Sequence, residues 1–212
     1  IEDEGSFNEI AMSLAYFEGR IEDADLAIKK GLEIGTQQQK NQLSISAASR
    51  LLDDRIEQHL DKEKVAEIKH YLGHIELADD SVQRTATVVA LTMVQHALAL
   101  VQANFVKAET LRATLVSIGG VDDALVLGLE AKAALFKAKA NNHSVSKAVQ
   151  LTRRAIEQQT NSIHRDSLRL TLVEALLDHD KEQANAEFLF ISKPDESAKS
   201  ILHHRLHARW WM

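Results

Sequence analysis

The chain has no cysteine, one proline and eight glycines, and aromatic residues fill only 5% of its 212 positions. Without cysteine there are no disulfides, no thiolate metal centres and no cysteine nucleophile. With so little proline, long helices go unbroken. Strand formers are outnumbered by Ala, Leu, Glu, Lys and Gln, which favour helix. "TVVALTMV" and "FLFIS" look strand-like in isolation, but each lies inside a longer segment with helical spacing. The expected class is all-α.

Catalytic patterns are also missing. The sequence has no glycine-rich phosphate loop, no Gly-x-Ser-x-Gly elbow and no His-Glu-x-x-His helix, so a non-catalytic chain without a cofactor is expected. A net charge of −6 argues against direct nucleic-acid binding, and the small basic patch "HHRLHAR" does not reverse it. The longest apolar stretch, 86–105, could span a bilayer by length, but Gln95, His96 and Gln102 interrupt it. It reads as a core helix, with no membrane span. The lack of cysteine fits the cytoplasm and leaves the periplasm open. A start at Ile1, without methionine or a basic–apolar leader, reads as a piece of a longer protein.

What is present is a repeat. Ala24, Ala66, Ala108, Ala148 and Ala184 each sit within a helical segment, roughly 36 to 42 residues apart, which is the mark of stacked units. In the first unit Phe7, Ile10, Ala11, Leu14 and Ala15 form an apolar stripe, and Ser6 with Glu9 forms a capping box at its start. Gly19 permits a tight turn, and Ala24, Ile28 and Gly31 share a face of the next helix. Small residues there let two helices approach closely. Further stripes are Val65, Ile68, Leu72 and Ile75, then Ala108, Leu111, Leu115 and Ile118, then Val145, Ala148, Leu151 and Ala155. Asp122 is placed to cap a helix after the glycines at 119 and 120. The pattern predicts a single domain over 1–212, an α-solenoid of about five antiparallel hairpins. Its units are 6–36, 38–79, 81–119, 122–159 and 162–193, with a capping helix at 197–211.

Gly19, Ala24, Ile28, Gly31 and Leu32 fall at the glycine, alanine, aromatic or aliphatic, alanine and leucine positions of a tetratricopeptide (TPR) unit. Ala66 with Gly73, Ala108, Ala148 with Ala155, and Ala184 with Phe188 follow more loosely. The chain thus resembles the TPR-like helical repeats, with long units similar to those of bacterial regulator sensor domains. It departs from the family in its longer period, in Asn104 and Asn141 near turns where glycine is usual, and in lacking the family's tryptophan. The resemblance implies a groove lined by the first helix of each hairpin. Carried over by the alanine alignment, its partner-binding positions are Glu9, Tyr16, Arg55, His59, Lys137, Asn141 and Arg169.

Outside the repeat, Glu67-x-x-His70 has di-iron spacing but no second copy. The pairs His70/His74 and His203/His207 share a helix face and can chelate a metal, but two ligands fall short of a structural or catalytic centre. No metal site is expected from them. Trp210 and Trp211 end the chain as an apolar cluster, either capping the last hairpin or meeting a missing domain, a second copy or a partner. The leading expectation is a protein- or peptide-binding scaffold, the interaction or sensor region of a larger bacterial regulatory or signalling protein. The alternatives are a helical bundle that binds metal or acts as an enzyme, and a self-association domain that dimerises through its terminal helix.

Overall fold

The computed structural model describes residues 2–53, 61–118, 121–177 and 179–191, without the side chains of 2–7, 16, 17, 53, 81, 162 and 163. All regular structure among these residues is helical: ten helices and no strand. The expected helix at 197–211 lies outside the described residues. The chain divides into two compact units, Ile1–Leu98 and Ala99–Met212.

The first unit holds α1 (Glu2–Phe17), α2 (Ile21–Ile34), α3 (Gln37–Asp53), α4 (Lys62–Gly73) and most of α5 (Ser81–Val101). α1 packs on α2, both pack on α3, and α3 packs on α4. Gly19, at φ 75°, makes the α1–α2 turn in the left-handed region that only glycine enters freely. Gly31 explains the packing. A Cβ there would overlap a δ-methyl of Leu43 and come within 3.2 Å of Asn8 Cβ, so side chains of α1 and α3 lie directly against the α2 backbone.

That approach sets the rotation of α1 and corrects the expected stripe. Asn8, Met12 and Ala15 face inward, while Ile10 and Leu14 are 65% and 52% exposed. The inward set recurs at i, i+4 and i+7, and at about 100° per residue Ile10 and Leu14 fall on the far side. The capping box also moves. Ser6 lies inside α1, whereas Thr36 and Gln39 cap α3: Thr36 N–H donates to Gln39 Oε1 at 2.9 Å and Gln39 N–H to Thr36 Oγ1 at 3.4 Å. In α4 the buried residues are Ile68 and Tyr71, and Ala66 is exposed. Ala66 is therefore not the close-contact residue of its unit, and a Cβ at Gly73 would meet nothing.

Val82–Val101 is the one described helix long and apolar enough to cross a membrane by length and composition, and a third of its window is buried. Its buried positions include Thr92, whose hydroxyl donates to Val88 O at 2.7 Å, and His96.

In the second unit, Ala99 and Leu100 at the end of α5 cluster with Ala108 of α6 (Phe105–Ser117). α7 (Asp123–Asn141), α8 (Ser146–Gln158), α9 (Ser162–Leu176) and α10 (Lys181–Leu189) follow. α7 packs on α8 and α9, α8 on α9, and α9 on α10. Ala108, Ala148 and Ala184 are no more than 1% exposed, like Ala24 in the first unit. Val145, Leu151 and Ala155 complete the expected stripe on α8. Asp122 caps α7 by accepting from Ala124 N–H at 2.8 Å. The left-handed turn positions are Ala103 and Asn142, each one residue from the asparagine singled out by the repeat; Asn104 instead caps α6.

Candidate functional site

The described first-helix positions differ in their local settings within each unit. Glu9 Oε1 accepts from Ser46 Oγ at 3.0 Å and Gln42 Nε2 at 3.4 Å, so it ties α1 to α3. Arg169 is half-buried. Its Nη1 donates to Phe190 O at 2.7 Å, lies 3.5 Å from Asp166 Oδ1, and its guanidinium sits 5.6 Å from the Phe190 ring centre. It clamps α9 to the end of α10. Lys137 and Asn141 are exposed one turn apart on α7, with Asn141 Nδ2 donating to Lys137 O at 2.8 Å. Arg55, His59, Trp210 and Trp211, and the side chain of Tyr16, lie outside the described residues.

The structure instead has a groove on the second helices of the last two hairpins, about 490 Å³ in volume, between α8 and the start of α10. Val145 at the N-cap of α8, Val149 of α8 and Leu176 of α9 give it an apolar floor. Val145 and Leu176 belong to the core clusters that hold α8 on its neighbours, and Val149 packs against them. Gln150, Arg153, Arg154 and Glu157 line it from α8, and His179, Asp180 and Gln183 from the α9–α10 side.

The rim is partly engaged. Arg153 Nη2 donates to Gln183 Oε1 at 2.7 Å, bridging the groove's two walls. Asp180 Oδ1 accepts the Gln183 N–H at 3.0 Å and so caps α10. Arg154 and Glu157 are exposed, on the same helix face one turn apart. Such a rim offers hydrogen bonds of both signs around an apolar floor, which suits an extended or helical peptide with one apolar anchor.

The sequence pattern did not mark this groove, because its lining comes from α8, the end of α9 and the start of α10 together. Val145 and Val149 flank Ala148, but only Ala148 is fully sealed under the neighbouring helix, which leaves the outer edge of that face to line a surface. Among the described residues no three His, Asp or Glu side chains converge to hold a metal. No protein-family model, curated protein or solved structure matches this chain.

Proposed function

We propose that the chain is a non-catalytic scaffold that binds a protein or peptide segment, and that the α8–α10 groove is where it binds. The observation that carries this reading is the apolar floor of Val145, Val149 and Leu176 beneath a polar, mixed-charge rim. Further support comes from the packing of α1 and α2 on α3, and of α7 and α8 on α9, each hairpin passing both helices to the next one's first helix. That order suits an α-solenoid of TPR type, and with it the role of interaction or sensor region in a larger bacterial regulatory protein working in the cytoplasm.

The proposed ligand places an apolar side chain on the floor and a carboxylate against Arg154. Exposed charge pairs contribute only about 0–1 kcal/mol each, so the apolar anchor supplies most of the affinity. Selection from a random peptide library on the purified chain, followed by fluorescence anisotropy, tests it. Enriched peptides should lose binding to Val149→Glu and keep it on Lys137→Glu. The opposite pattern moves the site to the first helices, and a library that yields no enriched sequence overturns the scaffold reading.

A further inference from the structure

His70 and His74 stand one turn apart at the C-terminal end of α4, in the first compact unit. Both are exposed, and their rings meet edge to face with centroids 4.7 Å apart. Their Nε2 atoms lie 3.3 Å apart, one ring donating a hydrogen bond to the other. The backbone of His74 is anchored: the residue is the C-cap of α4, and its carbonyl accepts from Gln37 Nε2 of α3 at 3.2 Å. Beside the first ring lies Tyr71, buried at 8% exposure, at 5.9 Å between centroids.

That separation has a chemical meaning. Two imidazole nitrogens, each about 2.0–2.1 Å from one tetrahedral zinc ion, lie about 3.3–3.4 Å from each other. A right-angled square-planar pair at the same bond length would need about 2.9 Å. The spacing in the folded chain matches the tetrahedral one; an ion between the rings would replace the hydrogen bond that now links them, with the Nε2 proton moving to Nδ1 of its own ring.

We propose that His70 and His74 chelate one divalent transition-metal ion, zinc fitting best, through both Nε2 atoms. Water takes the other two tetrahedral positions. With no third His, Asp or Glu converging on the pair among the described residues, the site is open and its metal exchangeable, unlike a closed structural centre. A bound ion there has two positions left for a donor from outside the unit.

Zinc chloride titrated calorimetrically into the full chain should show one saturable site of micromolar affinity. His70→Gln and His74→Gln should each weaken it at least tenfold while the circular dichroism spectrum stays that of the parent. A His203→Gln/His207→Gln double variant should bind as the parent does. The proposal fails if the parent shows no saturation below about 100 μM zinc, if His70→Gln binds as tightly as the parent, or if the site is lost with His203 and His207.

Discussion

Asn41 holds Glu76 by both of its backbone groups. Its Nδ2 donates to Glu76 O at 2.6 Å, and its Oδ1 accepts the Glu76 N–H at 3.0 Å. The side chain, only 5% exposed on α3, thus imitates one rung of a sheet and fixes the segment that leaves α4. Gln37 Nε2 donates to the same Oδ1 at 3.0 Å, which fixes the amide's orientation.

Asn41→Ala should cost about 1–3 kcal/mol, because it removes these bonds and leaves their partners to water. Asn41→Asp should cost more, since it sets a second oxygen against the Glu76 carbonyl. Urea melts measure the loss, and hydrogen exchange at the Glu76 amide locates it. An amide that exchanges no faster in Asn41→Ala would refute the clamp.

Gly31 and Gly128 should respond differently to alanine. A Cβ at Gly31 meets both Leu43 and Asn8 Cβ, the latter an atom fixed to its helix backbone; one at Gly128 meets only a Leu168 δ-methyl, at 2.8 Å. Overpacking at Gly31 should cost about 1–3 kcal/mol. At Gly128 a rotamer change of Leu168, set against alanine's helix preference of up to about 1 kcal/mol, should leave stability nearly unchanged. Equal effects in thermal melts would mean that Gly31 does not set the α1–α2–α3 spacing.

Helix content was legible because Gly, Pro and strand formers are scarce, and the ten described helices fall two to each of the five units read from the alanine period. Which face turns inward was harder. On α8 the small and large apolar residues share one face, so Ala148 predicts Leu151 and Ala155. On α1 the inward face mixes polar Asn8 with Met12 and Ala15, and hydrophobicity alone points to Ile10 and Leu14, the wrong side. On α4 no small residue is needed, so the alanine marker fails at Ala66. The groove was illegible for a further reason: it joins the end of α9 and the start of α10 to α8, a neighbourhood that no single helix's periodicity encodes.

The two alanines that differ in burial make a direct test of that point. Ala108→Leu, at 0% exposure beside Ala99 and Leu100, should cost about 1–3 kcal/mol. Ala66→Leu, on the exposed face of α4, should stay within about 0.5 kcal/mol of the parent. Chemical denaturation of both variants should separate them; matched midpoints would discard the assigned faces.

Asp25 carries a pH signature. Although the residue is exposed, partial desolvation of its carboxyl, and after it repulsion from Glu22, raise it above the usual range. A carboxyl with a higher pKa in the folded chain binds its proton more tightly there than in the unfolded chain. Its charge therefore costs stability at neutral pH, and that cost fades as pH falls through the folded-state pKa. Asp25→Asn should raise the melting temperature at pH 7 and leave it unchanged below the unfolded-state pKa of about 3.9. A variant that gains nothing at neutral pH would sink the assignment.

Lys139 of α7 and Glu174 of α9 join the two first helices of adjacent hairpins, Nζ to Oε1 at 2.6 Å, with the Glu174 side chain only 10% exposed and that of Lys139 37%. The asymmetry decides what each substitution does. Lys139→Met strands a nearly buried carboxylate, and half-exposure of the lysine lets water recover part of the loss, so the cost should be about 1–3 kcal/mol rather than the 3–5 of a fully buried pair. Glu174→Gln leaves only a lysine that can turn to solvent, and should cost less. In the double variant Lys139→Met/Glu174→Gln the stranded charge is gone, so the two losses should not add. Urea denaturation of the four proteins in the cycle measures the coupling. Strict additivity would show that the contact holds the helices no better than separate side chains do.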